Sequence, residues 1–130
     1  MKLIILAIGM LLLFKNGVVA DDNLEARDAI VQISDVYIPS HLTADSESYV
    51  VVYGLYSNSC YRWKDAIVMH REEEFEHIIE AHAMVQQGMC LMVLVPFSQE
   101  VKLGRLKMGT HMLRFINGDG TFFEKMMHVK

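Results

Sequence analysis

EEEFEHIIEAHAMVQQG, residues 72–88, is the stretch on which the fold turns. Read with a period of 3.6, it is a helix of good helix formers closed by Gly88. Phe75, Ile78, Ile79, His82 and Met84 then share one broad stripe. Read with a period of two, it is a strand with Phe75, His77, Ile79, Ala81 and Ala83 on one face and Glu76, Glu80 and His82 on the other. The flanking sequence favours the strand. Upstream, RWKDAIVMHR (62–71) and the Val- and Tyr-rich SYVVVYGLYS (48–57) suit a pleated sheet, the latter buried on both sides. Downstream come MCLMVLVPF (89–97), EVKL (100–103), THMLRFI (110–116) and TFFEKMMHV (121–129), each short and most bounded by Gly, Asn or Asp. NGDG at 117–120 is a hairpin signal between two of them. Seven or eight short antiparallel strands with frequent turn signals predict an all-β sandwich.

Further toward the N-terminus, AIVQISDVYIP (29–39) changes phase near Ser34 and Asp35, which predicts a bulge or two short strands ended by Pro39. Gly54 predicts a bulge or a close backbone approach. Residues 21–28, DDNLEARD, read as a flexible tether, leaving 29–130 as one sandwich domain. Residues 1–20 read as a cleavable export signal: Lys2, an apolar run at 3–14, then GVVA. That run is shorter than the ~20 residues a spanning helix needs, and Lys15 interrupts it, so no membrane insertion is expected after cleavage.

The formal net charge of the whole chain is −4. Removing Lys2 and Lys15 with the signal brings it to about −6, a balance opposed to nucleic acid and to anionic lipid. Export places the mature chain in the periplasm or the extracellular space, where disulfides persist, so the two cysteines, Cys60 and Cys90, read as one structural bridge. There is no C-x-x-C to suggest a redox role.

Candidate chemistry rests on histidine and methionine. The clusters are Met69-His70, His82 with Met84, Met108 with His111 and Met112, and Met126-Met127-His128; His41 and His77 complete the histidines. Imidazole and thioether are the ligands of exported copper or zinc sites, but such a site needs three or four groups converging on one point. Neighbouring residues on a strand face opposite ways, which opposes convergence. If Glu72–Glu74 is a three-residue turn, His70 faces Glu76 across the hairpin, the minimum of an acid–base pair. No nucleophile motif such as G-x-S-x-G accompanies it, so neither enzyme activity nor a cofactor is expected. Tyr49, Tyr53, Tyr56, Tyr61 and Trp63 crowd one short stretch and read mainly as core aromatics.

The string VKLGRLKMGTHMLRFING (101–118) resembles the E-to-F corner of immunoglobulin-like and fibronectin-III-like sandwiches, with Leu106, Gly109, His111, Leu113 and Phe115 on the pattern positions. His111 stands where that pattern places tyrosine, so the resemblance implies a ring that faces inward and bonds to backbone. More broadly, YGLYSNSCYR, GMCLMVLVPF and VKLGRLKMGTHML resemble a group of small secreted bacterial proteins without assigned chemistry. The expectation is an exported, non-catalytic binding or assembly module working on another envelope or extracellular protein through loops or an edge strand. A metal-binding role for the His/Met clusters is the alternative.

Overall fold

A computed structural model describes residues 26–130. The expected signal, 1–20, and tether residues 21–25 lie outside the described residues. The strands are β1 (Arg27–Ile30), β2 (Ile33–Tyr37), β3 (Ser48–Tyr56), β4 (Tyr61–Arg71), β5 (Glu76–Val85), β6 (Val95–Gly104), β7 (Gly109–Ile116) and β8 (Phe122–Val129). Arg27 and Asp28, assigned to the tether from sequence, therefore belong to the first strand.

Two sheets face each other. In the larger, β5 is central, with β4 paired along its whole length. The other edge of β5 is shared: β1 pairs with residues 82–85 and β7 with residues 76–80, and β8 lies beyond β7. The smaller sheet runs β2-β3-β6. The eight strands form the expected sandwich, with one departure from an all-antiparallel design. β5 and β7 are parallel. A parallel pair needs a long crossover, and here β6, lying in the other sheet, supplies it.

The core comes from alternate residues of both inner faces. Ile79, Ala81, Ala83, Leu113, Phe115 and Met127 from the larger sheet and Val50 and Val52 from the smaller are completely buried. Each large apolar side chain so placed contributes about 1.5–3 kcal/mol. β3 is buried on one face only, contrary to the two-sided burial predicted from its composition: Val50, Val52 and Tyr56 point inward while Tyr53 and Leu55 are exposed. As the third strand of a two-layer sandwich it has solvent, not another layer, behind it.

The phase change at Ser34 has both predicted forms. β1 and β2 are separate strands in different sheets, and the β2–β3 register shifts between Ile33 and Asp35. The crossing at Val31–Gln32 is clamped by two glycines. A Cβ on Gly54 would meet the Gln32 carbonyl and the Phe97 ring at 2.5 Å, and one on Gly118 would run into the Ile30 carbonyl. Asn117 secures the same place by accepting the Ile33 amide on its side-chain oxygen at 3.0 Å.

Residues 72–88 are not helical beyond a 3₁₀ turn at Glu72–Glu74. That turn is longer than predicted. Phe75 adopts a left-handed conformation (φ 51°) and joins the loop, its amide donating to the Glu72 carbonyl. The ladder therefore pairs Arg71 with Glu76 and His70 with His77, one step from the expected His70–Glu76 pairing. The second correction lies at 89–94, predicted to begin a strand that Cys90 opens. The ladder with β3 starts only at Val95, opposite Tyr56, the last residue of β3. Residues before Val95 have no strand left to pair with.

Candidate functional sites at the two ends of the sandwich

The segment 86–94 joins β5 to β6 as an apolar projection. Met89, Leu91, Met92, Val93 and Leu94 are all exposed, from 53% for Val93 to essentially complete exposure for Met89. No charged residue occurs between Gln86 and Gln99. Such a surface costs solubility unless something covers it.

The projection is held at its root. The Cys60–Cys90 bridge, the pairing predicted from sequence, closes a separation of 30 residues with a Cα–Cα distance of 5.4 Å. Beside it, the Ser59 amide donates to the Leu91 carbonyl at 3.0 Å, and the Leu91 amide donates to the Ser59 hydroxyl at 2.8 Å. The Gln86 amide donates to the Cys60 carbonyl at 3.0 Å. The loop is thus fastened to the β3–β4 turn at three successive places. Fixing the root lowers the ordering cost of any contact made by the tip.

At the opposite end three histidines meet. His70 on β4 and His77 on β5 face each other with their Nδ1 atoms 2.7 Å apart. His77 Nε2 lies 2.8 Å from His111 Nδ1 on β7, and His111 Nε2 donates to the Lys107 carbonyl at 2.7 Å. His77 and His111 are buried, at 1% and 3% exposure, while His70 is exposed. The resemblance to the E-to-F corner correctly anticipated an inward His111 bonded to backbone. Its bond to His77 was not anticipated, because the misplaced turn put Glu76 opposite His70.

Phe75 packs on His111 with ring centroids 4.9 Å apart. A small cavity of about 90 Å³ opens beside the rings, lined by Glu72, His77, Arg105, Leu106, Lys107 and His111. Burial first, then the neighbouring charges of His70 and His111, push the His77 pKa down to about 4. His77 is therefore neutral at pH 7. On the opposite sheet face, buried Glu76 lies 3.3 Å from Arg114 and 3.7 Å from Arg71, and Arg114 also pairs with Glu124 at 2.8 Å.

The other candidate ligands scatter. His82 bonds Glu80 at 3.0 Å, His128 bonds Thr110 at 3.0 Å, and His41 is exposed. Met69, Met108 and Met126 face solvent, whereas Met127 is in the core. Among the described residues no three His, Cys, Asp or Glu side chains are grouped to hold a metal ion. Of the aromatics, Tyr56 stacks on Phe97 at 4.5 Å and on Tyr61 at 5.5 Å, and Trp63 lies 6.0 Å from Phe97.

Among the described residues, no helix is long and apolar enough to cross a membrane. Comparisons with curated proteins and with solved structures gave no match. The ORF11 β-sandwich domain matches residues 50–124, from the third residue of β3 to the third residue of β8, and so takes in both ends described above. With more than half of its length covered, the chain belongs to the ORF11 β-sandwich domain family.

Proposed function

We propose that this protein is an exported, non-catalytic binding or assembly module that engages another protein through the 86–94 loop. An immunoglobulin-like design, with loops carried on a rigid sandwich, suits that role, and the signal-like residues 1–20 and the bridged cysteines support a periplasmic or extracellular location. The observation that carries the reading is the projection itself: five large apolar side chains, exposed and uncharged, on a covalently fastened root. Two of the five are methionines, whose unbranched, polarizable side chains adapt to a partner's surface. A convex apolar tip of this kind fits a concave apolar cleft on a partner protein.

The test is capture from envelope extract or culture fluid by the protein, set beside a double variant, Leu91→Ser with Met92→Ser. One partner recovered reproducibly by the wild type and lost with the variant, at unchanged melting temperature, is the expected result. Equal recovery by both, or turnover of a substrate panel without any partner, would sink the reading.

A further inference from the structure

The histidine end plays no part in that reading and carries chemistry of its own. A neutral imidazole holds one N–H and one acceptor nitrogen. The Lys107 carbonyl can only accept, so His111 places its hydrogen on Nε2 and leaves Nδ1 to accept. His77 must then donate from Nε2 to His111 and accept at Nδ1, and His70 must donate from Nδ1. With all three rings neutral, five of the six ring nitrogens are satisfied and one remains open: Nε2 of exposed His70.

The same count limits what the chain can hold. Each of the two ring-to-ring contacts accommodates one hydrogen, the Lys107 end requires one, and the outer nitrogen of His70 accepts one more. A single excess proton can thus sit on any of the three rings, by shifting the shared hydrogens, without breaking a bond. A second excess proton would set N–H against N–H at 2.7–2.8 Å, and a contact would part.

We propose that His70, His77 and His111 form a one-proton reservoir that doubles as an acid-released latch between the tip of the β4–β5 hairpin and the β6–β7 corner. The parts joined are the end of β4, the start of β5, the start of β7 and, through Lys107, the corner itself. Glu72 from the turn favours added positive charge here, while Arg105 and Lys107 from the corner oppose it. Arg71, Glu76 and Arg114 pair on the other face of the sheet. The depressed pKa of His77 agrees with a central ring that is the hardest place to charge.

Amide hydrogen exchange of the protein between pH 7 and pH 4, corrected for intrinsic rates, tests this. Once the contacts part, the three rings have room for three excess protons, whereas the closed chain has room for one. Opening should then grow about a hundred-fold per pH unit below the ordinary imidazole range. The rise should appear at 70–77 and 105–111 and be absent at 58–62 and 89–91. In His70→Gln the side-chain amide can donate to His77 or, turned over, accept from it, so the closed chain still takes one excess proton while the opened one takes two, and the growth should drop to about ten-fold per pH unit. Ring-nitrogen NMR at neutral pH should find the hydrogens on His70 Nδ1, His77 Nε2 and His111 Nε2. Identical pH slopes in the two proteins, a rise shared by both ends, no rise at all, or a hydrogen on His77 Nδ1 at neutral pH would each overturn the latch.

Discussion

The two ends of the larger sheet are fastened by opposite means. At the start of β4, a covalent bridge and paired backbone bonds hold an apolar loop that the rest of the molecule leaves exposed. At the end of β4, about 30 Å away by strand rise, three imidazoles and one carbonyl are joined through hydrogen bonds, with His77 and His111 buried and His70 exposed. The first fastening is indifferent to pH and sensitive to reductant; the second is the reverse. A sandwich can thus keep one end constant and let the other answer to its surroundings.

The largest effect should come from the covalent end. Replacing both Cys60 and Cys90 by alanine should lower stability by about 3–4 kcal/mol, the chain-entropy value for a loop of this length. Urea denaturation of the variant and of the oxidised wild type measures it. A loss below about 1 kcal/mol would mean that the Ser59–Leu91 bonds alone hold the root.

Acid should act on the other end. The folded-state pKa of His77 lies near 4, below the value of about 6.5 expected for the unfolded chain, so the unfolded chain binds more protons as pH falls. The His77 contribution to stability is whole above about pH 6.5, declines on acidification, and is lost below about pH 4. At about 1.4 kcal/mol per pKa unit the decline amounts to about 3 kcal/mol. Denaturant titrations at fixed pH check it, and a curve that is flat from pH 7 to pH 4 would remove His77 from the account of stability. The Cys60/Cys90 variant should show the same decline on a lower baseline, since the two ends are too distant to couple.

The smallest effect belongs to the loop tip. Leu91→Ser with Met92→Ser should change stability by no more than about 0.5 kcal/mol, because both side chains are already in water. A larger loss in the melting curve would show that the tip folds back onto the sandwich.

Most of the strands were legible in the sequence. Val- and Tyr-rich composition marked β3, a period of two set among its neighbours marked β5, short runs bounded by turn residues marked β7 and β8, and Asn117-Gly118-Asp119-Gly120 marked the turn joining the last two. The cysteine pairing followed from count and compartment. Two things could not be read. An apolar run looks the same whether it is a buried strand or an exposed projection, and what separates 89–94 from 95–97 is that β3 has ended, a property of a distant segment. The histidine chain was hidden by one residue of turn length. Phe75 in a left-handed conformation lengthens the loop, and with side chains alternating along each strand that single step replaces Glu76 by His77 opposite His70. No local signal announces a left-handed phenylalanine.

The pairing of β1 gives the molecule a direction. Arg27 pairs with Val85, which on its other side pairs with Tyr61, so the chain enters the sandwich beside the apolar loop. Val129 pairs with Gly109, next to Phe75, so the chain leaves at the histidine end. Anything attached before Arg27 crowds the tip and shades it from a partner. Attachment through Lys130 turns the same molecule around and displays the tip outward, leaving the histidine end toward the support. One protein fixed to a surface by its two termini in turn would present two different faces, one greasy and one titratable.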